Sequence, residues 1–254
     1  MTLFANKTTI VAELRSDRLI LAGGNFFKAS VLTEDYIYGK LLAAEADAAR
    51  RLRVLLEPTK VFAGPPTAAE IAAAESNPWM EEPAYDFDQD AYVGDRWGLI
   101  STRQRPVIAV QSLAFIYPAP TVSTFNVPLD WLRIDKKYGQ IRVVPTGVSA
   151  SSPIAMYLMQ TIGGGGRSVP QMLVMRYTAG LSDAASKYPD LIDLIKKMAV
   201  LRIVQDSFAP QSGSISADGL SQSFSADMEK YQDGADRMLN SLKDAMHGVR
   251  LVVA

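Results

Sequence analysis

Few residues in this chain could do covalent or metal chemistry, and their spacing argues against most of it. There is one histidine, His247, and there are no cysteines. A Ser-His-Asp triad or an imidazole metal site would therefore have to use His247. Thiol nucleophiles, thiolate metal sites and disulfides are removed together. His247 stands near the end of a helical pattern, where a basic residue suits the helix dipole, so it reads as a surface helix-terminal residue. The acidic residues Glu81, Glu82, Asp86 and Asp88 offer paired carboxylates of the kind used by hydrolases, but on a proline-punctuated stretch. Asp86-x-Asp88-x-Asp90 begins like a calcium loop. That loop needs glycine at its sixth position and a bidentate glutamate at its twelfth, and Ala91 and Trp97 stand there. Gly163 to Gly166 lacks the Gly-Lys-Ser/Thr ending of a phosphate loop and reads as a hairpin tip. The serines of Gln211–Ser223 have no general base within sequence reach. The expectation is no catalytic residue, no metal site and no cofactor.

The elements around these residues are those of an ordinary globular chain. Its 254 residues carry a formal net charge of −1, with 48% hydrophobic and 21% charged residues. That composition buries a core and lacks the basic excess of a tight nucleic-acid binder, while transient contact with DNA stays open. No apolar run approaches the roughly 20 residues of a membrane span, and charges interrupt the N-terminal apolar runs, so a soluble protein with no membrane partner is expected.

Along the chain, Thr8–Ala12 and Leu19–Ala22 read as short strands in an N-terminal arm, residues 1–32. Thr33 is a helix cap, followed by an apolar stripe at Leu41, Leu42, Ala48, Leu52 and Leu55 and by Arg50, Arg51 and Arg53, with Pro58 as the stop. Residues 59–94 read as a Pro-rich, acidic linker holding one short helix from Thr67. Residues 95–178 are β-rich: Pro106–Tyr117, a hairpin of Trp131–Ile134 and Gln140–Val144 around Asp135–Gly139, then Pro153–Ile162 and Met172–Thr178. Residues 182–208 make a helix whose wide apolar face (Leu191, Leu194, Ile195, Met198, Leu201, Ile203, Val204) suits the centre of a core. A polar loop follows, with Ser212, Ser214, Ser216, Asp218, Ser221 and Ser223 as interaction residues. The last helix, 225–247, repeats Met228, Tyr231, Ala235, Met238, Leu242 and Ala245 at spacings of three and four, a seam for a bundle or a coiled coil. The tail Val249, Arg250, Leu251, Val252, Val253, Ala254 is apolar and β-branched. It is either tucked into its own fold or donated to a neighbour as a strand.

The order of these parts resembles the head–tail connector, or adaptor, proteins of tailed bacteriophages. The residues that carry the resemblance are Asp130–Ile134 with Gly139–Pro145, Arg176–Gly180 leading into the core helix, and Ser214–Ser223 leading into the last helix. The resemblance covers residues 32–57 and 95–254. It implies an α+β fold: a helical bundle (179–248 with the first helix of 33–94), an inserted β-rich domain (95–178), and extended terminal arms. It also implies a homo-oligomeric ring, commonly of twelve copies, beneath a portal protein. The tail 249–254 would dock on the portal, a downstream neck or tail protein would sit on the opposite face, and genomic DNA would pass through the centre. The long β insertion departs from the smallest members, which are nearly all helical. A tail-completion or baseplate protein, an enzyme using the acidic segment, and a ligand-binding module are the competing expectations.

Overall fold

The computed structural model describes residues 3–4, 6–22, 32–74, 77–92, 97–117, 123–144, 168–207 and 220–247, with the side chains of 22, 89, 92, 117, 123, 207 and 220–227 outside the description. The chain divides into two compact units. One comprises Met1–Arg53 with Asp183–Ala254, and the other Val54–Ser182. The fold is mixed helix and sheet, consistent with the α+β class.

The first unit is helical. Its elements are α1 (Lys7–Arg15), α2 (Arg18–Ala22), α3 (Glu34–Leu52), α5 (Ala184–Lys187), α6 (Pro189–Ser207) and α7 (Leu220–His247). The two strands expected in the N-terminal arm are instead helices. Asn6 caps α1 by accepting from the Thr9 amide, and Ile10, Val11 and Leu14 fall on one buried face. β-Branched residues lower helix propensity only slightly, and burial at helical spacing outweighs that. Thr33 caps α3 as its sequence indicates, accepting from the Tyr36 amide at 3.2 Å. The helix stops at Leu52, ahead of Pro58, because Arg53 takes a left-handed conformation at φ 53°. α6 begins with Pro189 in its first turn, where a missing N–H costs nothing. Leu191, Leu194, Ile195, Ala199, Ile203 and Val204 of α6 are fully buried and pack against α3 and α7.

The second unit begins at Val54 and not at residue 95. The segment expected as a linker supplies β1 (Thr59–Ala63), α4 (Ala68–Ala74), β2 (Trp79–Glu82) and β3 (Tyr85–Asp88). Alternation decides this: Tyr85 and Phe87 are buried while Asp86 and Asp88 face water, so acidic residues mark one face of a strand. The remaining strands are β4 (Ile100–Ser101), β5 (Val107–Tyr117), β6 (Ser123–Asn126), β7 (Leu132–Asp135), β8 (Gln140–Val143) and β9 (Ser168–Ala179). The larger sheet runs β2-β1-β9-β5-β6, with β3 also paired to β9, and the smaller runs β4-β8-β7. β7 and β8 form the expected hairpin, with Ile134 opposite Ile141. The two sheets share one core: Val61, Leu113, Phe115, Met175 and Tyr177 from the larger with Ile100, Leu132, Ile141 and Val143 from the smaller. Aromatic rings run through it in edge and tilted contacts, from Phe87 to Phe115, Phe125 and Trp131 at centroid spacings of 6.0, 6.2 and 6.3 Å. The expected strand at 153–162 and the glycine run 163–166 lie outside the described residues.

Candidate interaction surfaces and polar constellations

In the helical unit, the seam of α7 narrows to its middle. Ala235 and Leu242 are buried, Met228, Tyr231 and Met238 are half-buried, and Ala245 is exposed. The Tyr231 hydroxyl donates to Asp17 Oδ2 at 2.9 Å, and burial chiefly, with the Asp17 charge, pushes its ionisation well above the usual tyrosine range. Lys197 Nζ lies 3.2 Å from Met238 Sδ. α7 starts at Leu220, five residues before the expected start, so Ser221 and Ser223 belong to a helix and not to the polar loop. The serine content signalled a loop. Phe224, four residues before Met228, continues the same three-four spacing and was the stronger cue. Ser212, Ser214, Ser216 and Asp218, and the whole tail Val249–Ala254, lie outside the described residues.

His247 does not face solvent as a bare helix end. Its Nε2–H donates to the Leu52 carbonyl, one of the acceptors that the last turn of α3 leaves unused, while Nδ1 is buried without a partner. It caps another helix, and among the described residues no carboxylate or serine bonds to the ring.

Between α3, α6 and α7 lies a groove of about 210 Å³ with an apolar floor that includes Leu194, Met198, Leu201 and Leu239. At its rim Asp47 meets Arg51 Nε and Arg202 Nη2, both at 3.1 Å, and Arg51 reaches Asp236 at 3.8 Å. The basic triplet of the α3 C-terminus is thus partly drawn into local ion pairs. Lys40 and the Tyr36 hydroxyl meet at Asp206, tying α3 to α6. Burial, helped by Asp206, pushes the Tyr36 ionisation up to about 12.

The β unit holds its strongest polar groups inside. Glu82 is 6% exposed. Its Oε1 accepts from the Tyr85 hydroxyl at 2.7 Å and the Tyr177 hydroxyl at 2.8 Å, and Oε2 has no hydrogen-bond partner among the described residues. The tyrosine oxygens accept from the backbone amides of Arg103 and Gln104, at 2.9 and 3.3 Å. The Arg103 guanidinium lies over the Tyr85 ring at 4.2 Å and donates to the Pro83 carbonyl. Burial pushes Tyr85 up to about 12 and Tyr177 higher still. Hydroxyls held so firmly protonated act as donors to Glu82 and not as bases. The network fixes the turn that carries the chain from β4 in one sheet to β5 in the other.

A second constellation centres on Arg176 of β9. Nε donates to Glu70 Oε1 at 2.7 Å, Nη1 to the Ala63 and Gly64 carbonyls at 3.2 and 3.1 Å, and Nη2 to the Pro65 carbonyl at 2.9 Å. The guanidinium lies 5.4 Å from the Phe62 ring centroid. Glu70 also accepts from the Thr67 amide while Thr67 Oγ1 accepts from the Glu70 amide, the reciprocal box that starts α4. The Arg176 hydrogen bonds are the main reason the Glu70 carboxyl titrates at about 2. Sequence patterning found Thr67 as a cap, but it read Glu82 only as one of an acidic stretch of paired carboxylates and Arg176 only as the end of a strand, since a charge inside a strand looks the same as one on its wet face.

Among the described residues no group of three or more His, Asp or Glu side chains is arranged to hold a metal ion, and no helix is long and apolar enough to cross a membrane. No family model matches the chain, and no curated protein matches it. A solved structure described as the neck of an empty GTA particle computed with C6 symmetry is similar over 87% of this chain and 87% of that chain, at 14% sequence identity and a TM-score of 0.38, which lies below the level of a shared fold.

Proposed function

We propose that this chain is a non-enzymatic structural subunit of a tailed, phage-like particle: a head-to-tail adaptor that forms a ring beneath a portal, joins capsid to neck or tail, and lines the DNA passage. The observation that carries the reading is the way the chain is divided. Residues 1–53 and 183–254 make one helical unit, and 54–182 make a β unit inserted between its first long helix and the rest. The resemblance of 32–57 and 95–254 to connector proteins implies a comparable order of helix, β insertion and helices, with the insertion starting at 95 where here it starts at Val54. Two further features agree with it. The near-zero net charge suits a ring that lets DNA move past without gripping it. The polar constellations at Glu82 and Arg176 are spent on holding backbone in place, which suits a scaffold.

Two-dimensional class averaging of particles carrying the protein, or of the protein mixed with a candidate portal, tests this. The expected result is a twelve-fold ring stacked on the portal. A six-fold ring on the tail side would move the subunit down into the tail, and a persistent monomer in every context would overturn the reading.

A further inference from the structure

The larger sheet ends at β2, whose outer edge has no strand beside it among the described residues. β2 runs parallel to β1 with Lys60 opposite Trp79 and Phe62 opposite Glu81. The Lys60 amide donates to the Pro78 carbonyl at 2.9 Å and the Gly64 amide to the Glu82 carbonyl at 2.8 Å. In a parallel ladder the bonding residues alternate. Pro78, Met80 and Glu82 therefore spend their backbone groups on β1, and the N–H and C=O of Trp79 and Glu81 point outward. The two faces of this edge differ. Met80 packs against the shared core, while Trp79 is 40% exposed and Glu81 is exposed, with Asp86 and Asp88 also exposed nearby in the chain. The edge is short, four residues between Pro78 and Pro83, and the strand itself carries the Glu81 carboxylate but no proline, lysine or bulge, so it leaves room for one short added strand.

An added strand would need aliphatic residues on the Met80 face and a basic residue on the Glu81 face. The segment that follows His247 has that pattern: Val249, Leu251 and Val253 alternate with Arg250, and seven residues, Gly248 to Ala254, are available. We propose that the β2 edge of one copy receives Val249–Val253 of a second copy as an added strand, with Arg250 beside Glu81, in place of the portal docking that the resemblance implies for this tail. Each copy gives one segment and receives one; passed from copy to copy around the proposed ring, the contact is heterologous. The inference rests on the ring reading in taking the donor to be the next copy and the series to close.

The chain has no cysteine, so two single variants of the full chain can be mixed and oxidised. Glu81→Cys with Arg250→Cys is expected to give a disulfide-linked species of two chains. Arg250→Cys with Asp135→Cys, at the exposed end of β7, is expected to give none. The same yield from both mixtures would overturn the proposal. So would a Glu81→Cys/Arg250→Cys double variant that closes within its own chain. Glu81→Pro removes one outward N–H and is expected to weaken self-association about tenfold or more with the tryptophan-detected unfolding of the β unit unchanged; unchanged association overturns the proposal. Rings on a portal without the crosslink would sink the strand exchange and leave the adaptor reading. The crosslink without any ring would do the reverse.

Discussion

The two units hold themselves together by opposite means. The helical unit has a largely apolar interior, with the Glu45 carboxylate of α3 accepting from the Leu3 amide as an exception, and several of its charged contacts sit nearer the surface: Lys196 with Glu13 at 2.6 Å, and Lys40 with Asp206. Such exposed pairs are worth little singly, commonly about 0–1 kcal/mol. The β unit places a carboxylate, two tyrosine hydroxyls and much of a guanidinium where water is scarce. Buried polar groups of this kind add modest net stability when complete and cost a great deal when one partner is lost. The comparison teaches that the helical unit should tolerate charge changes and resist volume changes, while the β unit should be sensitive to the loss of single polar atoms. All three tryptophans (Trp79, Trp97, Trp131) lie in the β unit, so their emission follows that unit alone.

The largest expected effect is Leu242→Asp, which puts a charge at a position only 3% exposed. It should cost upwards of about 4 kcal/mol and unfold the helical unit. Helical circular dichroism should fall while tryptophan emission stays native. A tryptophan transition in step with the helical loss would break the comparison by showing one cooperative unit. Met238→Asp should cost only about 1–2 kcal/mol, because that side chain is half-buried.

Glu82→Ala comes next. It leaves the Tyr85 and Tyr177 hydroxyls without their acceptor, and about 3–5 kcal/mol should be lost from the tryptophan-detected transition. A loss below about 1 kcal/mol would mean that the network is dispensable and the contrast false.

Gly180→Ala should follow at about 3 kcal/mol. Gly180 sits at φ +118°, and an added Cβ would meet the Glu57 carbonyl oxygen at 2.3 Å. A variant with wild-type melting would show that the chain can give way there.

The acid response sharpens the comparison further. The folded Glu70 carboxyl lies at about 2, below its ordinary 4.5. A depressed carboxylate contributes stability above its unfolded value, and that contribution is lost as pH falls from about 4.5 toward 2. Glu70 is partly exposed, so the effect is modest. In Arg176→Ala the β unit should be less stable at neutral pH, and its stability should change less between pH 4.5 and pH 2. An unaltered pH slope in urea titrations followed by tryptophan emission would refute the assignment.

The smallest effect should be a gain. Gly234 lies within α7 with nothing within 4 Å of an added Cβ, so Gly234→Ala should stabilise the helical unit by about 0.5–1 kcal/mol. A loss there would mean that the open space is needed for a partner.

Much of the helical unit was legible because its periodicity is strong. Thr33 with the stripe from Leu41 to Leu52 defines α3, and Leu191 to Val204 defines α6, since long elements average over many residues. The hairpin around Gly139 was legible from turn chemistry. Short elements were not. Thr8–Val11 is rich in β-branched residues and is helical because its neighbours bury one face. Residues 59–94 looked like a linker because prolines and acids dominate the composition, yet Tyr85 and Phe87 alternate inward. The constellations at Glu82 and Arg176 depend on partners 95 and 106 positions away, a distance no local window spans.

The insertion point also has a consequence in time. The Leu181 amide donates to the Leu55 carbonyl at 3.0 Å, so the β unit closes on itself where the chain enters and leaves it. During synthesis every residue of that unit has been added once Ser182 is in place, and it can fold at that point. α3, made first, must wait for α6 and α7, whose first residues come 137 and 168 positions after its last, Leu52. At about 5–20 residues per second that wait lasts from several seconds to over half a minute. Over that interval α3 has α1 beside it but neither α6 nor α7 to cover the rest of its apolar stripe, while the β unit is already complete.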